Sequence, residues 1–157
     1  MFNAPFTDLL LVALAVILVV AAVIDVRTFT ISNRLNLTVA LLAPLYWASV
    51  ALSPWPDMVV QLAGATLVFG LLAGAFYAGM MGGGDVKLAA ALALWFSPVS
   101  TIKFLVLTSI AGGVLTLVVV AWHWARKREG RPEVPYGVAI AFGGLAILTQ
   151  RFLNQFV

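Results

Sequence analysis

The chain has 157 residues, 63% of them hydrophobic and 10% charged, with a mean hydropathy of +1.08. A soluble domain this small cannot hide that much apolar surface, because most of its residues lie near the outside, so lipid is its natural solvent. With no cysteine, disulfides, thiolate metal sites and cysteine nucleophiles are excluded, and the net charge of +3 falls between apolar runs, where it speaks for membrane topology rather than nucleic acid.

In hydrocarbon a backbone must satisfy its own hydrogen bonds, so long apolar runs read as helices, and the lack of short alternating segments excludes a β-barrel. The first run, Leu9–Ile24, ends at Asp25; it lacks the basic start of a signal peptide and reads as a retained helix. Leu35–Leu52 is the second, followed by the turn Ser53-Pro54-Trp55-Pro56-Asp57. Met58–Met81 is the third and runs into Gly82-Gly83-Gly84-Asp85. Leu88–Ile102 is a shorter fourth run interrupted by Ser97-Pro98, Phe104–Ala125 is the fifth, and Tyr136–Gln150 is the sixth. A spanning helix takes about 20 residues, so the first, fourth and sixth must borrow from their flanks. The expectation is one all-α membrane domain over residues 1–157, a bundle of about six transmembrane helices. Gly70 and Gly74, Gly112-Gly113 and Gly143-Gly144 read as close-packing positions between helices.

Basic residues set the orientation. Arg27, Arg34, Lys87, Arg126, Lys127, Arg128 and Arg131 fall in the first, third and fifth connections, against Lys103 and Arg151 on the other side. Both termini are therefore expected to face outward, with those three connections in the cytoplasm.

This orientation places Asp25 and Asp85 at one membrane depth, and ionisable groups there are costly and usually functional. Two crowded carboxylates share one proton. Such a pair hydrolyses peptides without a metal: one activates water while the other, protonated, polarises the scissile carbonyl. Simpler uses stand beside this one: Asp85 as the N-cap of helix 4, and Asp25 as an interfacial partner of Arg27. Gly82, Gly83 and Gly84 favour the chemical reading, since a cap does not need them. A loop that gives way to an extended substrate, and pairs with its backbone, does.

Gly82-Gly83-Gly84-Asp85 fits the GxGD motif of intramembrane aspartic peptidases. The stretch from Asp25 to Leu35 resembles the first aspartate motif of type IV prepilin peptidases, and Val134-Pro135-Tyr136-Gly137-Val138-Ala139-Ile140-Ala141 is similar to the opening of the last helix in their short, Flp-pilus (tight-adherence) branch. The resemblance implies that Asp25 and Asp85 are the catalytic pair of an aspartic endopeptidase of the bacterial inner membrane. It also implies that the enzyme needs no metal or cofactor and cuts the leader of a prepilin or pseudopilin after a glycine at the cytoplasmic face. Its partners are then the prepilin and the lipid bilayer, with no nucleic acid. Two departures stand out. Ser32 replaces the family's proline in Ile31-Ser32-Asn33, which is expected to loosen that turn. The cysteine-containing insert of the larger, N-methylating members is absent, so methyl transfer is not expected.

Two readings from other classes remain: a small proton- or cation-coupled transporter using Asp25 and Asp85, and an assembly factor in which both are caps. Lys87, two positions from Asp85, reads as a headgroup anchor, and His123, between Trp122 and Trp124, as part of an aromatic belt. Glu129 and Glu133 read as a solvated loop, and Arg27 and Arg34 as contacts to lipid phosphates. Helix dipoles suggest Asp85 as the base and Asp25 as the proton donor.

Overall fold

The computed structural model describes residues 4–127, 129–130 and 132–154; the cytoplasmic charges assigned to Arg128 and Arg131 lie outside them. Six α-helices follow one another: α1 (Ala4–Thr28), α2 (Asn33–Ser49), α3 (Val59–Tyr77), α4 (Gly83–Ala93), α5 (Pro98–Ala125) and α6 (Tyr136–Asn154). Among the described residues there is no strand, and the protein is an all-α integral membrane protein. Four of its helices are long and apolar enough to span alone: α1, α3 together with the irregular turn Pro54–Met58 before it, α5 and α6.

The side that each helix buries follows from side-chain spacing. Along α1, Leu11, Leu14, Leu18, Ala21 and Asp25 are buried alternately three and four apart, which is one stripe of a helix. Val12, Val16, Val19, Val23 and Val26 occupy the outward face. Beyond the exposed Leu9, leucine therefore packs inside on α1 and valine meets lipid, although both are equally acceptable to hydrocarbon. The stripe lies against α2 and α6, and α4 packs between α2, α3 and α6.

The fourth run divides differently from the expectation. Ser97 caps α5, its side chain accepting from the Ser100 N–H, and Pro98 is the first residue of that helix. Residues 98–102 thus belong to α5, and Lys103 lies inside a helix rather than in a connection. The 11 residues left to α4 cover about 16 Å, half of a ~30 Å hydrocarbon core. Its C-terminal carbonyls end inside protein and need partners there. Trp47 Nε1 donates to Leu94 O at 2.7 Å, and Thr101 Oγ1 to Phe96 O at 3.3 Å. Trp95, fully buried, donates to Val39 O at 3.0 Å and stacks on Tyr46.

The glycines divide as well. A Cβ at Gly144 would lie 2.9 Å from Leu18 Cδ1, one at Gly143 would strike Thr108, and one at Gly112 would lie 3.4 Å from the Tyr136 ring. These three let α6 approach α1, α4 and α5. A Cβ at Gly70, Gly74 or Gly113 would have nothing within 4 Å among the described residues, so there they are not packing positions.

Candidate active site

Asp25 lies in the last turn of α1, which runs one turn further than expected, and 2% of its surface is exposed. Asp85 lies in the first turn of α4 with 8% exposed. Both are far more buried than an interfacial charge or a helix cap requires. Gly82, not Asp85, is the N-cap residue of α4.

Asp85 begins α4 rather than ending α3, so the aspartates do not meet through a contact between the first and third helices. Instead α2 and α6, which each pack on both α1 and α4, hold the two ends together. The connection between α1 and α2 acts as a wedge. Ile31 sets its backbone against Gly84, where a Cβ would lie 2.7 Å from Ile31 O. Its Cδ1 reaches Gly137 at the start of α6, where a Cβ would lie 2.6 Å away. Asn36 Nδ2 donates to Gly84 O at 2.9 Å, tying α2 to the turn that carries Asp85. Lys87 Nζ donates to Asn33 Oδ1 at 2.9 Å, so this cation braces the same two helix starts rather than only a headgroup.

The glycine run is not a slack loop. Gly83 and Gly84 are already helical. A Cβ on Gly82 would lie 2.9 Å from Asp85 Oδ2, and one on Gly83 would lie 3.3 Å from the Phe76 ring. All three glycines are needed for close approach, and Gly82 keeps the space beside the Asp85 carboxylate clear.

Gly137 does the same for Asp25 and was not singled out from the sequence. A Cβ there would lie 2.8 Å from Asp25 Oδ2. The backbone N–H groups of Gly137 and Val138 face the Asp25 carboxylate, while Oδ2 itself closes no hydrogen bond among the described residues. The N-terminus of α6 therefore faces Asp25 much as that of α4 carries Asp85. Helix dipoles no longer distinguish base from donor, which removes the basis for that assignment.

Asp85 lies outside the four long spanning helices. Burial pushes its carboxyl up, the negative charge of Asp25 adds to this, and together they bring it from an ordinary 3.8 to about 7. The charge of Asp25 thus adds to burial in favouring the protonated form of Asp85.

The sequence profile of the type IV leader peptidase family matches residues 12–117, a stretch that includes both aspartates. The chain belongs to the type IV leader peptidase family. It is 30% identical, over 132 residues, to a prepilin leader peptidase/N-methyltransferase of Pectobacterium carotovorum subsp. carotovorum. That match covers 82% of this chain and 46% of the relative, so the chain spans about half the relative's length. No solved structure matches it. Gly137 lies beyond the matched stretch, in the segment whose likeness to the last helix of the short branch is noted above.

The remaining polar residues keep modest parts. His123 Nε2 lies 3.0 Å from Gly130 O and closes the end of α5, and Glu129 and Glu133 are exposed. Among the described residues no cluster of three His, Asp or Glu side chains is placed to hold a metal.

Proposed function

We propose that this member of the family is an aspartic endopeptidase that removes the leader from Flp-type prepilins or pseudopilins at the cytoplasmic face of the bacterial inner membrane. The observation that carries the reading is the pairing of two buried carboxylates, Asp25 and Asp85, each kept clear by a glycine. One carboxylate takes a proton from water as the water oxygen bonds to the scissile carbonyl carbon. The other, protonated, donates to the carbonyl oxygen. Collapse of the tetrahedral intermediate breaks the C–N bond: the leaving nitrogen takes the proton held by the first carboxylate, and a hydroxyl of the intermediate returns its proton to the second as the carbonyl re-forms. The ledger closes with the dyad again holding one proton, and no cofactor enters it.

The Flp-type assignment is supported by residues 134–141, and the cytoplasmic placement by the seven basic residues in the odd-numbered connections or in the helix ends beside them. The deciding experiment uses purified protein in detergent, with a full-length prepilin and no ion gradient. Cleavage after the leader glycine, surviving EDTA, is the expected result. Folded protein that never cuts but moves protons in liposomes would instead be a transporter. In intact cells, Thr28→Cys and Gly130→Cys should be shielded from an impermeant thiol reagent and Pro54→Cys should react; labelling of Gly130→Cys overturns the orientation.

A further inference from the structure

We infer that the substrate's apolar helix docks sideways from the bilayer into the cleft between α3 and α5, directly beneath the dyad; this rests on the peptidase reading above. Two clefts of similar size flank α4 and open toward lipid. One, of about 530 Å³, lies between α2, α3 and α4 and takes Lys87, Ala90 and Ala91 from α4 and Leu94 just past its end. The other, of about 580 Å³, lies between α3, α4, α5 and α6 and takes Ala89 from α4.

Helix geometry decides between them. At 3.6 residues per turn, Lys87 is rotated by roughly 200° from Asp85, on the far side of α4, whereas Ala89 is rotated by about 40° and lies one turn deeper. A helix resting in the first cleft would have α4 between its backbone and the Asp85 carboxylate. A helix in the second lies against the face of α4 that carries the Asp85 carboxylate. The other walls agree. Met80 and Met81 lead straight into Gly82, and Tyr136 and Ile140 bracket Gly137, the residue that faces Asp25. The cleft is thus bounded by residues next in sequence to Gly82 and Gly137, the two glycines beside the carboxylates.

Its chemistry suits an apolar helix that becomes polar where it is cut. At the dyad end the hydroxyls of Tyr136 and Thr116 lie 3.3 Å apart. Deeper, Ser109 returns its proton to Leu105 O at 2.7 Å, so the wall of α5 behaves as apolar surface. Nothing lies within 4 Å of a Cβ at Gly113, which leaves α5 with a shallow, open seat for a neighbouring helix. The α3 and α5 walls scarcely touch each other, which leaves a lateral entrance.

The absence of cysteine makes the test direct. Gly113→Cys places a thiol in this cleft and Leu37→Cys places one in the rival. Each is mixed, under oxidising conditions in membranes, with a full-length prepilin carrying one cysteine in its apolar segment about two turns past the cleavage glycine. A disulfide-linked adduct with Gly113→Cys and not with Leu37→Cys is expected. The reverse pattern, or no adduct with either while the unmodified chain cuts the same prepilin, overturns the inference. If the unmodified chain does not cut at all, the peptidase reading fails first and the docking falls with it. A Cβ at Gly113 meets no described atom within 4 Å, so Gly113→Leu, which fills the seat, should fold. It should raise KM about tenfold with kcat kept, as loss of shape fit does in a hydrophobic pocket. An unchanged KM would also overturn the inference.

Discussion

Gly137, the second residue of α6, lies so close to Asp25 that a methyl group on it would stand 2.8 Å from the carboxylate Oδ2 and 2.6 Å from Ile31 Cδ1. The backbone and Cβ of Ile31 are themselves pressed against Gly84, so only its Cδ1 end and the Asp25 carboxylate are left to shift, and a shifted carboxylate leaves its place in the pair. Gly137→Ala should therefore reduce prepilin cleavage by tenfold or more, equivalent to about 1.4 kcal/mol of transition-state stabilisation. The comparison is Gly70→Ala, where nothing lies within 4 Å. That substitution should leave cleavage unchanged and stabilise α3 by up to about 1 kcal/mol through helix propensity. Initial rates on one prepilin, with melting in the same detergent, check both.

Asp25→Asn and Asp85→Asn should each abolish cleavage while the protein still inserts and accumulates. Asp85→Asn carries a second, less obvious expectation. The carboxyl of Asp85 sits at about 7 in the folded protein against an ordinary 3.8. Below 3.8 the group is protonated in both folded and unfolded chains and costs nothing. Between the two values the unfolded chain ionises first, so folding stability falls as pH rises, and above about 7 the full cost remains. Asp85→Asn should then melt above the unmodified protein at pH 8 and converge with it toward pH 4. Cleavage by the unmodified protein should decline as pH passes about 7 and the dyad loses its shared proton. Equal melting at pH 8 would show that Asp85 carries no such burden.

Much of this site is legible in the chain because it depends on local spacing. Asp25 continues the stripe Leu11, Leu14, Leu18, Ala21, and that register alone points it inward. The boundary between α4 and α5 was also readable. Ser97-Pro98 is an N-cap followed by a first-turn proline, a helix start that run length alone obscures. What stays hidden depends on contacts distant in sequence. Gly137 matters because α6 packs on α1, and Asn36 because its amide reaches Gly84, 48 residues away. Nothing in the residues around either one announces a partner so far off.

Ser32 shows how a departure from the family pattern is accommodated. Its φ of −69° and ψ of 144° are values that a proline adopts, and its N–H donates to none of the described residues. Its side chain accepts from the Leu35 N–H at 3.3 Å, so it caps α2 where looseness was expected. Ser32→Pro removes a cap worth about 1 kcal/mol. It also stiffens the unfolded chain by roughly 0.4–1 kcal/mol. The two nearly cancel. Melting should shift little and cleavage should stay within about twofold; a large loss of either would show that the serine hydroxyl has work beyond the cap.

Asn36 offers the sharpest separation between holding the site and performing the chemistry. It is buried on α2, makes no hydrogen bond to either carboxylate among the described residues, and fixes the first turn of α4 through Gly84 O. Asn36→Leu leaves that carbonyl buried without its donor, a cost of about 1–3 kcal/mol. Asn36→Gln keeps a donor but displaces it by one methylene. If Asn36 is a positioning residue, Asn36→Leu should lower kcat and move the pH profile, because the distance between the carboxylates sets how tightly they share a proton. Asn36→Gln should recover part of both. A variant that melts lower yet keeps the unmodified pH profile would reduce Asn36 to a packing role, and the geometry of Asp85 would then rest on Ile31 and the glycines alone.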